Sequence, residues 1–360
     1  MNFPRRMRRA RSILVSWAGK ELVLTNYLTG SVISADPESV RILHLLNDWT
    51  NPTDLFARLP EYSPRSIRAG LGELRANSLV VLEHSGEAER DAELAKVWSD
   101  WLPHASFHFG TRDLEFFAPQ ETEGLFAEYL AKSRQPRLWK DYPRANRIAL
   151  PRVKASQSEF ARVLLDRKTH RDFSGAKIPL ETISRLLYYT WGVTGKIEAP
   201  PFGDLFHKTS PSGGARHPGE VYLLPLRVAG ADRATYHYDG LHHRLTRLGS
   251  FGSINRIVEI AAGQDFLANA SALFIMTAVF PRVLWKYRFS RAYRIVLLDA
   301  GHLCQTFCLV ATWLGLAPFC TAAFHDTELE KVIGVDGIRE SALYIAGVGT
   351  LPADRLRNRR

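Results

Sequence analysis

The stretch TSPSGGARHPGEVYLLP, residues Thr209–Pro225, decides the fold. It opens with Ser210 and Pro211, a pair that is typical of a helix start. Two adjacent glycines follow, and they would let a flat ligand lie close to the backbone. Glu220–Leu224 then predicts a strand that ends at a proline. An ordinary turn before a strand would show the same letters, so the surrounding chain has to decide between the two.

Three groups of residues accompany this stretch. Arg167–Arg171 (RKTHR) lies upstream, the pair Lys286 and Tyr287 lies downstream, and an apolar helix carries Asp299–His302 (DAGH). In this order and spacing, over roughly residues 165–351, the chain resembles the SagB-type dehydrogenases. These are FMN-dependent members of the nitroreductase superfamily that oxidise azoline rings in modified peptides. The resemblance implies an α+β, nitroreductase-like FMN-binding fold with a mixed sheet packed by helices.

The resemblance also implies three segments that bind FMN. A cluster of cations suits a phosphate, and a positive group near flavin N1 and C2=O favours the reduced ring. A solvated basic helix end is the alternative for the first segment. The implied cofactor-binding residues are Arg167, Lys168, Thr169 and Arg171 in the first segment, Pro211, Ser212, Gly213, Gly214 and Arg216 in the second, and Ala322, Ala323 and Phe324 in the third.

Lys286 and Tyr287 are the predicted catalytic residues. Azoline oxidation needs a base that removes a proton from carbon while a hydride passes to flavin N5. An ammonium beside a tyrosine favours the phenolate, and desolvation lowers the pKa of a lysine. Azoline-oxidising relatives carry a Lys-Tyr pair at this place. A polar helix surface is the alternative for so short a motif.

Other cofactor signatures are missing from the sequence. No GxGxxG opens a helix after a strand, no complete Walker loop occurs, and no GxSxG elbow is present. The cysteines, Cys304, Cys308 and Cys320, lack zinc-site spacing and are too few for a disulfide framework. We therefore expect no metal site, core packing for Cys304 and Cys308, and a reducing cytoplasm.

The sequence predicts three regions. Residues 1–85 form a winged-helix-like domain, residues 86–152 a helical and extended connector, and residues 153–360 the FMN domain. The first contains a β-hairpin over Ser12–Ser34, helices over Pro37–Trp49 and Pro52–Leu59, a third helix from Pro64, and a strand over Leu79–Leu82. The resemblance implies that this domain binds a leader peptide as an added strand. Because the third helix carries three arginines, a DNA-binding domain is the alternative interpretation.

Hydrophobic periodicity predicts the remaining elements. Helices are expected over Glu87–Trp101, Gly124–Ser133, Phe160–Leu165, Pro179–Trp191, Ser253–Ala262 and Ile295–Leu314. Strands are expected over Thr235–Tyr238, Arg244–Leu248, Ala272–Phe280 and Leu343–Gly347. A loop is expected over Ala199–Lys208, and an extended connector over Gln135–Arg152.

The formal net charge of +10 indicates an anionic partner without choosing one. No stretch looks long enough to cross a bilayer, so we expect a soluble, cytoplasmic protein. The resemblance implies a homodimer with flavin between the subunits. It also implies a peptide or carrier-bound substrate, O2 as the flavin oxidant, and a cyclodehydratase as partner. The alternatives are an NAD(P)H-dependent nitro or quinone reductase, a peptide-recruiting scaffold and a DNA-binding regulator.

Overall fold

The structure is a computed structural model that describes residues 5–353 except 118, 134, 136–137, 139–147, 153–157 and 202. The helices are α1 (Pro37–Leu45), α2 (Pro52–Arg58), α3 (Pro64–Ala76), α4 (Gly86–Trp98), α5 (Leu102–Gly110), α6 (Pro119–Lys132), α7 (Glu159–Asp166), α8 (Leu180–Trp191), α9 (Ile254–Ile260), α10 (Phe280–Leu284), α11 (Tyr293–Trp313) and α12 (Asp326–Ile333). The predicted extended connector, Gln135–Arg152, lies largely outside the described residues.

The strands are β1 (Met7–Arg9), β2 (Ile13–Ala18), β3 (Glu21–Asn26), β4 (Ser31–Ala35), β5 (Val80–Leu82), β6 (Ile178–Pro179), β7 (Gly195–Glu198), β8 (Asp204–His207), β9 (Gly219–Pro225), β10 (Val228–Ala229), β11 (Thr235–Asp239), β12 (Arg244–Gly249), β13 (Ala272–Val279), β14 (Ala317–Thr321) and β15 (Glu340–Gly349). Six of them form a central sheet in the order β12-β11-β9-β13-β15-β14. The α+β prediction is confirmed. The expected mixed sheet is wrong for the central sheet, where each pairing is antiparallel.

Both faces of the central sheet are covered, because alternate side chains of a strand point to opposite sides. On β13, Leu273 and Ile275 join the cluster that contains α9 and α12. Phe274 and Met276 join the opposite cluster, which contains α8 and α11. The continuous apolar run predicted as a buried strand is therefore the middle of a three-layer core.

The N-terminal region folds around its own apolar cluster, to which α1, α2 and α3 contribute. Its helices begin as predicted, each with a proline in the first turn. The predicted hairpin is instead a three-stranded meander of β2, β3 and β4. Both glycines in this stretch, Gly19 and Gly30, adopt positive φ and each makes a turn. The closing strand β5 pairs with β1.

Two tryptophans that follow the N-terminal region pack into the core of residues 86–353, the part of the chain that contains the predicted catalytic pair and is here called the catalytic half. Trp98 and Trp101 are fully buried against Phe280 and Tyr293. Trp98 Nε1 donates to Ile338 O at 2.9 Å, and Trp101 Nε1 donates to Tyr287 O at 3.0 Å. The helical part of the predicted connector therefore packs against the predicted catalytic residues.

Helix α11 is unusually apolar. Together with the preceding turn it forms a helical stretch, Ser290–Trp313, whose mean hydropathy is 1.5 and whose length would suffice to cross a membrane. The expectation that no stretch is long enough was wrong, because the charged residues near its start mask the length of the helix. One such helix is weak evidence for a membrane span, since core helices pass the same test. One third of its most apolar window is buried.

Candidate active site

The second segment forms a tight turn. A single 3-10 turn, Gly213–Ala215, stands where Ser210 and Pro211 predicted a helix. Gly214 has a φ of +62° inside this turn, and that left-handed conformation cannot continue a right-handed helix. The chain then enters β9, as predicted. Neither glycine leaves room for a side chain of its own, because neighbouring side chains pack directly against both.

Asp299 on α11 holds this turn in place. Its Oδ2 accepts a hydrogen bond from Ser212 Oγ at 2.5 Å, and its Oδ1 accepts one from Gly213 N at 3.3 Å. Ser212 Oγ in turn accepts from His217 N at 2.9 Å. Burial raises the pKa of Asp299, and the hydrogen bonds from Ser212 and Gly213 act against that rise. The Asp299 carboxylate therefore positions the second segment.

Two more side chains of α11 hold the start of the turn. His302 Nδ1 lies 3.2 Å from Pro211 O, and Thr306 Oγ1 lies 2.7 Å from Ser210 Oγ. Together with Asp299, these residues recur along one side of the helix. Sequence analysis used Asp299 and His302 only as part of the family pattern. The structure assigns them to anchoring instead.

The predicted catalytic pair lies directly against the second segment. A Cβ added to Gly214 would overlap Tyr287 Oη and lie 2.8 Å from Lys286 Nζ. Lys286 Nζ lies 5.4 Å from the centre of the Tyr287 ring. An ammonium and a phenol therefore converge on a backbone that has no side chain of its own.

A cavity of about 740 Å³ opens beside this turn. Arg216 and Trp285 line it, with the guanidinium 5.2 Å from the centre of the indole ring. Trp191 is 2% exposed and also lines the cavity. Among the described residues, Trp191 Nε1 and Arg216 Nε are buried without a hydrogen-bond partner. A buried donor without an acceptor is costly, so these N–H groups are suited to an acceptor on a bound molecule.

The opposite wall of this main cavity is polar. His237 Nε2 lies 2.7 Å from Glu220 Oε2, and Arg282 Nη1 donates to Glu220 Oε1 at 2.5 Å. The hydrogen bond to Glu220 raises the pKa of His237. Burial of Glu220 is outweighed by hydrogen bonds from His237 and Arg282, so its pKa is lowered. Sequence reasoning missed these residues, because β9 and β11 bring them together only in the folded sheet.

The first segment follows α7. Arg167 is half-buried at the end of that helix, whereas Lys168, Thr169 and Arg171 are exposed. His170 N donates to Pro318 O at 2.9 Å, which ties the segment to β14. Exposed cations on a segment outside helices and strands fit a bound phosphate.

The third segment follows β14 and therefore lies beside the first. Ala322 and Phe324 line a second cavity of about 270 Å³, together with His108 and Arg112. Ala323 O accepts from Gln264 Nε2 at 3.0 Å. Of the three predicted segments, the first contacts β14 at Pro318 and the third follows the strand directly, so both lie along β14.

The site residues fit FMN, on two observations. The Gly214 backbone lies against Tyr287 and Lys286 with no side chain between them, and the first segment offers exposed cations. The two segments lie near different halves of α11. The second segment is bonded to Asp299, and Arg167 of the first segment lies near Cys308, nine residues further along the helix. This spacing corresponds to roughly 14 Å along a helix.

Comparisons with known proteins agree with this arrangement. Residues 164–350, more than half of the chain, match the model of the nitroreductase family. The chain therefore belongs to the nitroreductase family. Membership of that superfamily, inferred above from the flavin segments, is confirmed.

Several relatives are named as processing proteins of trifolitoxin or microcin B17. The trifolitoxin-processing protein TfxB of Rhizobium leguminosarum bv. trifolii is 31% identical over 46% of this chain and 46% of its own length. The microcin B17-processing protein McbC of Escherichia coli is 26% identical over 50% of this chain and 65% of its own length. The chain thus spans between about half and two thirds of these proteins. MJ1384 of Methanocaldococcus jannaschii, named as a nitroreductase, is 29% identical over 56% of this chain and 95% of its own length.

A solved structure of the E. coli microcin synthetase McbBCD with truncated pro-MccB17 bound is similar as well. It is 20% identical and covers 66% of this chain and 95% of the matched chain, with a TM-score of 0.46. At that score it adds no argument to the family assignment.

Proposed function

We propose that this protein is an FMN-dependent dehydrogenase that oxidises an azoline ring to an azole in a peptide or carrier-bound precursor. The convergence of Lys286 and Tyr287 on Gly214 carries the proposal. The names of TfxB and McbC, which process peptide toxins, support the substrate class. FMN, when bound, accepts a hydride and passes its electrons to O2.

The protein residues supply the proton chemistry. The Tyr287 hydroxyl and the Lys286 ammonium lie together against Gly214. Tyr287 is the proposed base that removes a proton from the ring carbon. Lys286 is the alternative base and otherwise stabilises the negative charge that develops. Asp299 keeps the second segment, and with it the space in front of the pair, in a fixed position.

The main cavity is proposed as the place of the substrate. Arg216 and Trp285 connect it with the second segment and with the neighbouring Lys286. Its aromatic side chains suit a flat ring. The unpartnered N–H groups of Trp191 and Arg216 suit the carbonyl oxygens of a peptide.

The N-terminal region is proposed to recruit the peptide. The sheet of β2, β3 and β4 has β4 at one edge, where Val32 is 62% exposed. A groove of about 250 Å³ lies between β4 and α3 and contains Ile33 and Leu74. A peptide added along β4 would satisfy the free backbone groups and place side chains in this groove. A cyclodehydratase that makes the azoline is the proposed partner.

A homodimer is proposed from the exposed face of α11. Leu297 and Leu298 are 44% and 62% exposed, and a Cβ at Gly301 would meet nothing within 4 Å. Small and apolar residues on an exposed helix suit close packing against a second copy. The second segment of one subunit would then complete a flavin site with the first segment of its partner. A cytoplasmic location stays a prediction.

The decisive experiment measures anaerobic flavin bleaching by a thiazoline-containing peptide in a single turnover. Tyr287→Phe and Lys286→Ala should each keep FMN but slow bleaching by about 10²-fold or more, the usual contribution of a positioned acid or base. The double variant should be little worse than the slower single one, because the two residues act as a unit.

Arg288→Ala, an exposed neighbour of the pair, is the matched control and should bleach at the wild-type rate. Wild-type rates in both Lys286 and Tyr287 variants would refute the assigned roles. Bleaching of the wild type by NADH or NADPH, but by no thiazoline, would identify a nitro or quinone reductase instead.

A further inference from the structure

The three cysteines of the chain meet at one point. The sequence contains only Cys304, Cys308 and Cys320. Two of them lie one turn apart on α11, and the third lies on β14. All three sulfurs lie within 4.8 Å of one another. Sequence reasoning treated Cys304 and Cys308 as core packing, because the spacing of Cys320 gives no sign that the strand returns to the helix.

The distances match a shared cation better than simple packing. Cys308 Sγ lies 3.7 Å from Cys320 Sγ, and Cys304 Sγ lies 2.7 Å from Cys320 Sγ. Zinc–sulfur bonds of about 2.3 Å in a tetrahedral site place two sulfurs roughly 3.8 Å apart. The first pair already has this separation. The second pair reaches it by a movement of about 1 Å, within the range of a side-chain rotation.

A positive charge lies close to the cluster, because the Arg167 guanidinium neighbours Cys308. The three side chains are half-buried, so an ion can reach them. In the described part of the chain, the cluster includes no histidine or carboxylate. A set of soft sulfur ligands selects ions such as Zn²⁺ or Cu⁺ over Mg²⁺ or Ca²⁺.

We propose that Cys304, Cys308 and Cys320 bind one Zn²⁺ ion, with a water molecule as the fourth ligand. A disulfide would join two of the sulfurs and leave the third unused, whereas a metal uses all three. The thiols lose their protons when the ion binds, and three sulfur–metal bonds form without any change of oxidation state. The site is independent of the proposed azoline oxidation.

The bound ion would connect α11 to β14. The third segment follows β14 directly, and Arg167 of the first segment lies next to Cys308. Zinc would therefore stiffen the strand along which these two segments lie. Binding to the folded state alone raises the melting temperature of the protein.

The test uses full-length holoprotein, purified with a reductant and stripped of metal by a chelator. Titration with Zn²⁺ should show one equivalent bound per chain and an increase in melting temperature. Co²⁺ should bind at the same place with a sulfur-to-cobalt charge-transfer band. Cys308→Ser and Cys320→Ser should each lose stoichiometric binding and the charge-transfer band. Thr321→Ser, which keeps the neighbouring hydroxyl, should bind as the wild type does.

Two results would overturn the proposal, and both are read on the wild-type protein, so that neither depends on how a variant folds. One is the failure of reduced protein to bind Zn²⁺ while a thiol reagent finds three free cysteines. The other is a Cys304–Cys320 disulfide in protein from reducing cells, identified by mass spectrometry, with Cys308 free.

Discussion

At the residue scale, the site depends on a few long-range contacts that local sequence patterns do not encode. Lys286 and Tyr287 could be predicted, because a family resemblance marks them. The part played by Asp299 could not, since its hydrogen bonds reach back 87 residues to Ser212. Nor could the approach of the pair to Gly214, because the segment that follows α10 meets the turn only in the folded chain.

Asp299→Ala should therefore weaken FMN binding without touching the cofactor directly. The change leaves the Ser212 hydroxyl and the Gly213 N–H without their acceptor, a loss of roughly 1–3 kcal/mol for buried groups. Flavin content after gel filtration and the melting temperature should both fall. Gln305→Ala, an exposed position on the same helix, should change neither. Full flavin content in Asp299→Ala would show that the turn holds its shape unaided.

At the scale of elements, strong periodicity and capping residues predicted most helices and the buried strand β13. Two predictions failed for a common reason, namely that turn residues were undercounted. The stretch taken as a hairpin contains two glycine turns and makes three strands, and the loop over Ala199–Lys208 contains β8, which pairs with β7. The polar helix α12 was missed, although acidic residues in its first turn and a lysine in its last turn stabilise a helix.

Removal of residues 1–85 tests whether the N-terminal region recruits the peptide while the rest of the chain binds FMN. The cut lies ahead of α4, so Trp98 and Trp101 stay with the catalytic half. We expect FMN binding to persist and capture of a leader-bearing peptide to weaken at least tenfold. The melting temperature should drop by a few degrees, because Tyr27 no longer covers Phe109. Tight, salt-sensitive binding of duplex DNA by the isolated first region would instead indicate a regulator.

At the scale of the whole molecule, the separation of the flavin segments along α11 favours sites shared between two chains. Co-expression of two inactive variants tests this. Arg171→Ala damages the first segment, and Lys286→Ala damages the pair beside the second. In a mixed dimer with shared sites, one site carries both changes and the other carries none.

Random pairing makes about half of the dimers mixed, so the mixture should recover about a quarter of the wild-type activity per chain. Each variant alone should stay near background. A mixture that is no more active than the better single variant would place every flavin contact within one chain, or show that no dimer forms.

The hydrogen bond from Trp101 to the backbone of Tyr287 has a consequence for how such proteins could be recombined. The buried indole belongs to the catalytic half, although it precedes the family match by more than sixty residues. A chimaera joined at the start of that match would separate the tyrosine from its support, whereas one joined near Ser85 would preserve it. A junction near Ser85 would still divide the buried ion pair between Arg8 and Asp91 on α4, so an exchanged N-terminal region has to supply a partner for that carboxylate.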